Sequence, residues 1–181
     1  KKNKKIINFI NVGRLTYQKN QILLIKALSQ IDDLNYKLII IGNGREEINL
    51  RRYIEQNKLK KRIKIIKNVT NANQYYIKSD VFILTSRFEG LPNVLIEAQL
   101  NKKFIISTDC PSGPKEILLN GKAGYLFRNE NMNDLKKKIN NYQKNMNKTN
   151  IFKKIQCGFN NLDRFDEINN LQKYYDEIIS L

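Results

Sequence analysis

Short apolar runs alternate with longer amphipathic stretches along most of the chain. The runs at Tyr36–Ile41 and Val81–Thr85 are almost continuously apolar, which is typical of strands that are covered on both faces. The full pattern predicts strands at Ile6–Val12, Tyr36–Ile41, Ile63–Ile66, Val81–Thr85 and Phe104–Thr108, with a short one at Ala123–Phe127. It predicts helices between them at Asn20–Ser29, Arg45–Asn57, Ala72–Lys78, Pro92–Asn101 and Pro114–Leu119.

This alternation of strand and helix predicts an α/β domain with a Rossmann-like parallel sheet and helices on both faces. A helical C-terminal tail follows from about residue 131, with helices expected in Asn131–Gln143 and Ile151–Ile179 and a polar linker at Lys144–Asn150. The sequence shows no internal repeat and no second set of strands. We therefore expect residues 1–181 to form a single domain.

The chain carries a formal charge of +16 and has a sequence pI of about 9.8. Such a charge suits phosphate-bearing partners, whether nucleic acid, a membrane surface or a nucleotide sugar. The lysines are dispersed, however, and are not interleaved with exposed aromatics, so solvated helix faces explain most of them. The Tyr and Phe residues lie mostly inside periodic segments, where core packing explains them. We expect no specific nucleic-acid partner.

Histidine is absent from the sequence, which excludes Ser-His and Cys-His catalysis within the chain. The two cysteines, Cys110 and Cys157, form no CxxC pair, so no metal site is expected. Unpaired cysteines fit a reducing cytoplasm, and no apolar run approaches the length of a membrane span. The chain begins at Lys1, a few residues before a strand, which suggests a piece of a longer protein.

The candidate chemistry follows the predicted strands. In an open parallel sheet, ligands bind outside the carboxyl ends of the strands. The turns that follow the strands should therefore share one edge: Gly13-Arg14, Gly42-Asn43-Gly44, Val69-Thr70, Ser86–Leu91 and Asp109–Gly113.

The most informative segment runs from Glu89 to Glu97, directly after the predicted strand Val81–Thr85. It places one carboxylate in a loop and a second one two turns along the next helix. Carboxylates accept hydrogen bonds from the vicinal hydroxyls of sugars, so both are candidate sugar-binding groups. A hydrolase with paired carboxylates is the rival interpretation, but it requires both groups to face one glycosidic bond.

Between these carboxylates lies a Gly90-Leu91-Pro92 turn, which makes Gly90 and Leu91 candidate ligand contacts. Pro92 suits the first helical position, because its missing N–H would be unpaired there. The helix start would then direct free N–H groups at an anion, from Asn93, Val94 and Leu95.

Two cations precede the first predicted helix. Gly13 permits a tight exit from the first strand, and Arg14 and Lys19 follow it. An Arg and a Lys can neutralise a leaving diphosphate without a metal. A surface Arg and Lys that cap a loop are the alternative.

Two further turns are weaker candidates. Gly42-Asn43-Gly44 is half of a dinucleotide fingerprint without its third glycine, so Gly42 is a candidate only for close approach to a ligand. Ser112 and Gly113 offer N–H groups, although an ordinary strand-to-helix turn explains them equally well.

Together these residues resemble glycosyltransferase family 4, a group of retaining GT-B enzymes. The matching segments are Gly13-Arg14-Leu15 with Lys19-Asn20, Ile41–Gly44, Ser79–Phe82, Ser86–Ala98, Asp109–Glu116 and Gly121–Phe127. The similarity runs from about residue 6 to residue 140. The pair of glutamates eight positions apart, in this setting, is its most specific element.

The resemblance implies the C-terminal, nucleotide-sugar-binding half of a two-domain enzyme, which lacks the acceptor-binding domain. It implies that Arg14 and Lys19 hold the diphosphate, together with the N–H groups of Val94 and Leu95. Glu89 would bind the transferred sugar and Glu97 the ribose, with Val69 near the base. Such enzymes need no divalent metal or other cofactor.

We therefore expect a hexosyltransferase domain whose parent transfers a hexose or N-acetylhexosamine from a nucleoside-diphosphate sugar to a glycan or lipid-linked acceptor. Arg14, Lys19 and Glu89 are the candidate catalytic residues. The expected location is the cytoplasm, and the basic surface is compatible with peripheral contact at the inner face of the membrane. The rival of another class is a non-catalytic nucleotide- or nucleic-acid-binding module.

Overall fold

The six predicted strands form one parallel sheet. The computed structural model describes residues 5–165, and within them the strand order is β3-β2-β1-β4-β5-β6. The strands are β1 (Ile7–Val12), β2 (Tyr36–Ile41), β3 (Ile63–Ile66), β4 (Val81–Leu84), β5 (Phe104–Asp109) and β6 (Tyr125–Arg128). The order reverses between β1 and β4, which are adjacent although they lie far apart in the sequence.

Helices cover both faces of the sheet. They are α1 (Gln21–Ser29), α2 (Glu47–Gln56), α3 (Asn73–Ile77), α4 (Asn93–Leu100), α5 (Pro114–Ile117), α6 (Met132–Asn145) and α7 (Thr149–Phe159), followed by a 3-10 turn at Leu162–Phe165. One face packs against α1, α2 and α6, and the other against α3, α4 and α5. The expected Rossmann-like α/β fold with two covered faces is therefore confirmed.

The apolar runs predicted the strands well because every strand except the edge strand β3 contributes side chains to both hydrophobic clusters. Phe9 and Ile83 belong to one cluster, and their neighbours Ile10 and Phe82 belong to the other. All four side chains are almost fully buried. A strand that is apolar on both faces tolerates few polar positions, so its ends stand out in the sequence.

Up to α6 the predicted bounds lie within two residues of the observed ones, and the differences have physical causes. β6 begins at Tyr125 and not at Ala123, because the Ala123 N–H still bonds to the carbonyl of Leu118 in a turn. α6 extends to Asn145, so the expected linker shrinks to residues 146–148. Lysine and asparagine are compatible with an exposed helix end, and polarity alone was a poor signal of a linker there. Of the helical segment predicted at Ile151–Ile179, α7 ends at Phe159 and a 3-10 turn follows at Leu162–Phe165, while residues 166–179 lie outside the described residues.

Candidate functional site

The candidate site lies at the carboxyl ends of the strands, around the reversal of strand order. The loops after β1 and β4 are neighbours there, as expected at a topological switch point. They carry the candidate residues Gly13, Arg14, Lys19, Glu89, Gly90 and Leu91.

A buried ion pair joins these two loops. The ammonium of Lys19 lies 2.6 Å from Oε1 of Glu89, and the Ser86 hydroxyl donates to the same oxygen over 2.5 Å. The side chains are 14% and 6% exposed, so the pair is largely removed from water. The structure thus brings together two of the three candidate catalytic side chains. The sequence did not predict their contact with each other.

Backbone contacts fix the position of Lys19. The Thr85 hydroxyl donates to the Lys19 carbonyl over 3.0 Å, which ties the residue to the end of β4. The amide of Gln21 donates to the Arg14 carbonyl over 3.0 Å. The aliphatic part of Lys19 passes over Gly13, since a Cβ at Gly13 would lie 3.6 Å from its Cδ. The Arg14 side chain is exposed, in contrast to that of Lys19.

Arg87 holds the same loops together, and sequence reasoning missed it. Its Nε donates to the Tyr17 carbonyl over 3.1 Å, and its guanidinium lies 4.0 Å from the centre of the Tyr17 ring. Its backbone N–H bonds to the Gln18 carbonyl, and its side chain forms an ion pair with Glu130. An arginine two positions before the loop glutamate was a signal that could have been followed, because a planar guanidinium often stacks on an aromatic ring.

The start of α4 differs from the expectation in two details. Pro92 is the N-cap, with extended backbone (φ −77°, ψ 91°), and Asn93 is the first helical residue. The Leu95 N–H donates to the Pro92 carbonyl over 2.9 Å, so it is engaged within the first turn and is not free as expected. Asn93 and Val94 still provide the first N–H groups of α4, and such groups have no partner within a helix.

Close packing against the turn that precedes α4 explains the glycine at the start of α5. Gly113 adopts φ 75°, and a Cβ there would lie 2.0 Å from the Gly90 carbonyl oxygen and 2.6 Å from Cδ of Pro92. The loop after β5 therefore presses its backbone against the Gly90-Leu91-Pro92 turn. Gly113 supports this turn, and Leu91 is exposed beside it.

Glu97 lies on the exposed surface of α4, and a tyrosine holds its carboxylate. The hydroxyl of Tyr76, on α3, donates to Oε2 of Glu97 over 3.1 Å. Burial, first, and the Glu97 charge, second, raise the pKa of Tyr76. Tyr76 was expected to serve only the core. Its ring does lie there, but its hydroxyl reaches a candidate ligand-binding group.

The loops after β2 and β3 complete the edge. A Cβ on Gly42 would lie 1.9 Å from the Gly13 carbonyl oxygen, so the glycine is required for contact between neighbouring loops. Contact of Gly42 with a ligand stays a prediction. Val69 is half-buried against the α3 and α4 side of the core, and the Asn43 amide bonds to Asn68 over 3.1 Å.

Cys110 lies behind the loop glutamate, at the end of β5. Burial raises the pKa of its thiol to about 11, and the nearby charge of Glu89 acts in the same direction. A thiol that stays protonated is a poor nucleophile and a poor metal ligand. Within residues 5–165, no group of three His, Cys, Asp or Glu side chains has the arrangement of a metal site.

A concave region of about 910 Å³ lies away from this site. It is formed between the residues that follow α1 and one side of α6, and its lining includes Asp32, Asp33 and Lys136. We assign the site by the topological switch point and the ion pair, because the candidate cations and carboxylates lie there. None of the helices in the described part of the chain is long and apolar enough to span a bilayer.

Comparison with known proteins gives a consistent family. The model of the family described as "Glycosyl transferases group 1" matches residues 1–156. An uncharacterized glycosyltransferase of Methanocaldococcus jannaschii is 39% identical over 112 residues, which cover 61% of this chain and 28% of the relative. A Campylobacter jejuni N-acetylgalactosaminyltransferase that acts on a diphospho-undecaprenol substrate is 32% identical over 126 residues, 70% of this chain and 34% of the relative.

Solved structures show the same fold. Anabaena HepE in complex with UDP superposes with a TM-score of 0.83 at 25% identity, over 97% of this chain and 49% of that one. A glycosyltransferase from Rickettsia africae superposes with a TM-score of 0.84 at 22% identity, over 96% and 47%. The chain thus spans about half of these structures and about a third of the curated relatives.

Proposed function

Because the chain belongs to the group 1 glycosyl transferases, we propose that it is the donor-binding, C-terminal half of a retaining GT-B enzyme of the family 4 type. The observation that carries this proposal is the buried Lys19–Glu89 pair beside the start of α4, with Glu97 farther along the same helix. Cations, helix N–H groups and two carboxylates at one sheet edge match the parts of a nucleotide sugar.

The diphosphate is the most highly charged part of such a donor. Lys19 has three N–H donors and gives one to Glu89, so two remain for phosphate oxygens. The exposed Arg14 adds a planar, permanently charged donor, and the first N–H groups of α4 add a favourable dipole. These groups would neutralise the charge that grows on the diphosphate when the sugar–phosphate bond breaks.

The two carboxylates are assigned to the hydroxyl groups of the transferred sugar and of the ribose. Glu89 lies beside Lys19 in the loop after β4, so a sugar attached to the diphosphate would meet it first. Glu97 lies farther along α4 and is assigned to the ribose hydroxyls, with Val69 near the base. This assignment requires neither a metal nor another cofactor, because side-chain cations and N–H groups neutralise the negative charge of the diphosphate.

The reaction follows from these contacts. The bond between the anomeric carbon and the diphosphate breaks, and its electron pair leaves with the diphosphate. The acceptor hydroxyl forms the new glycosidic bond, and its proton passes to an oxygen of the departing diphosphate. We assign the transferred group to the hexoses or N-acetylhexosamines and the acceptor to glycans or lipid-linked glycans, bound by a second domain. The C. jejuni relative, which uses a lipid-linked acceptor, supports this choice.

Calorimetry with nucleoside diphosphates tests the proposal on the 181-residue chain. UDP or GDP should bind weakly, and EDTA should leave the affinity unchanged. Arg14→Ala should weaken this binding, whereas Arg45→Ala, an exposed arginine after the neighbouring strand, should not. Absence of binding to every diphosphate, or binding only with a divalent ion, would refute the proposal. Tight sequence-selective binding of DNA or RNA would favour the rival nucleic-acid module.

A further inference from the structure

The carboxylate of Glu97 has an unusual support for a group on a helix surface. The hydroxyl of Tyr76 donates to its Oε2 over 3.1 Å, from the neighbouring helix α3. In residues 5–165 no ion pair or second side-chain hydrogen bond reaches this carboxylate. One neutral donor therefore determines where the negative charge points.

The Tyr76 ring cannot easily turn away from this contact. It is 1% exposed and stacks on Phe82, with ring centres 5.9 Å apart and an interplanar angle of 29°. The backbone N–H of Tyr76 bonds to the Ala72 carbonyl at the start of α3. A buried, stacked ring places its hydroxyl at one point, in contrast to a flexible lysine.

The hydroxyl has a choice of two acceptors, and the carboxylate is the better one. The Val94 carbonyl lies 3.4 Å from the hydroxyl oxygen, against 3.1 Å for Glu97. Hydrogen bonds to ionised acceptors are also the stronger class. Because its pKa is raised, the phenol keeps its proton and remains a donor at physiological pH.

We propose that Tyr76 is a positioning residue for Glu97, which it holds in the side-chain conformation that accepts the ribose hydroxyls of a nucleoside diphosphate. The inference rests on the proposed role of Glu97. The hydrogen bond occupies Oε2 and leaves Oε1 for a ligand. It also restricts a glutamate side chain whose rotamer freedom would otherwise be lost on binding.

A thermodynamic cycle tests the proposal by combining one change in the ligand with one change in the protein. Affinities of UDP and of 2′,3′-dideoxy-UDP are measured by calorimetry for the wild-type chain and for Tyr76→Phe. We expect Tyr76→Phe to lose up to about tenfold in affinity for UDP, the equivalent of restricting one glutamate side chain. The dideoxy ligand lacks the hydroxyls that Glu97 would bind, so its affinity should not change.

Tyr75→Phe is the matched control. It removes a hydroxyl one position away, from a half-buried ring that makes no hydrogen bond to Glu97, and both affinities should stay at the wild-type level. In the background of Glu97→Ala, adding Tyr76→Phe should have no further effect on UDP binding. Thermal unfolding of each variant checks that the fold is intact.

The outcomes separate the two proposals. If wild-type chain binds neither UDP nor GDP, the proposed function and this inference both fail. If wild-type chain binds UDP but Tyr76→Phe binds it equally well, only the inference fails. Equal losses for UDP and dideoxy-UDP would show a general structural role and would also overturn the inference.

Discussion

Glu89 and Glu97 belong to one strand-loop-helix unit but lie in opposite electrostatic environments. Glu89 is 6% exposed and pairs with a cation, Lys19, with a second hydrogen bond from Ser86. Glu97 is exposed and accepts a hydrogen bond from the neutral Tyr76. Removing a partner from a buried charge is costly, whereas an exposed carboxylate remains solvated by water.

This difference separates the two carboxylates by how much each contributes to folding. The Glu89 region contributes to the stability of the loops because its charge needs a partner within the protein. The Glu97 region contributes little to stability and is open to a ligand. Stability measurements should therefore respond to changes near Glu89, and nucleoside-diphosphate affinity should respond to changes at Glu97.

The largest effect is expected from Lys19→Met, which keeps the aliphatic stem and removes the charge. Glu89 would be left buried without its cation, so the free energy of unfolding should fall by about 3 kcal/mol. Urea denaturation at neutral pH measures it. The double variant Lys19→Met/Glu89→Gln should regain most of the loss, since a neutral amide needs no counter-charge. Losses that simply add in the double variant would contradict the importance of this ion pair.

The next effect is on binding. Glu97→Ala removes a charged acceptor and should weaken UDP and the matching sugar nucleotide by tenfold to a hundredfold, from about 1.5–3 kcal/mol for a hydrogen bond to a charged group. Its free energy of unfolding should change by less than about 0.5 kcal/mol. Glu89→Ala should leave free UDP binding nearly unchanged and should weaken only the sugar nucleotide. Calorimetry measures these affinities. Equal losses of UDP affinity in both variants would refute the separate assignment of Glu89 to the sugar and Glu97 to the ribose.

The smallest effect concerns Cys110 and is a dependence on pH. Its folded pKa is raised to about 11 by burial and by Glu89, so its contribution to stability is complete below the pKa of an unfolded thiol. That contribution is lost as the pH rises through about 11. Between about pH 9 and 11 the wild type should lose about 1–2 kcal/mol more than Cys110→Ala.

Denaturation at several pH values measures this difference, and the tyrosines cancel because both proteins contain them. Glu89→Gln should reduce the Cys110-dependent loss, because the charge of Glu89 helps to raise the pKa of the thiol. Glu97→Gln is the control and should leave the loss unchanged. An identical pH dependence in wild type and Cys110→Ala would show that the thiol is not held protonated by its surroundings.

The sequence predicted the fold more completely than the details of the site. Strands such as Tyr36–Ile41 were predicted to the residue, because a strand buried on both faces leaves a continuous apolar run. The shared sheet edge followed from topology, which brings the loops after β1 and β4 together without side-chain knowledge. The fold was recognised on these grounds, whereas the family resemblance rested on motif residues such as Glu89 and Glu97.

The contacts within the site were beyond sequence reasoning. Lys19 and Glu89 are 70 positions apart, and their pairing depends on the packing of two loops that no periodicity describes. The hydroxyl of Tyr76 was missed for a different reason. A tyrosine in a periodic segment fits the core, and only the structure shows that its polar end emerges beside Glu97. Pro92 was misplaced by one position, because a proline suits either the N-cap or the first helical residue there.

The glycine contacts between neighbouring loops have a consequence for protein engineering. Leu15 bonds through its N–H to the Asn43 carbonyl and through its own carbonyl to the Glu46 N–H, and a Cβ on Gly44 would lie 2.2 Å from that carbonyl. Loops of Rossmann-like proteins are often treated as exchangeable parts. Here the loops after β1 and β2 interlock through their main chains, so a loop graft would have to exchange both together. The unit of exchange is a pair of loops.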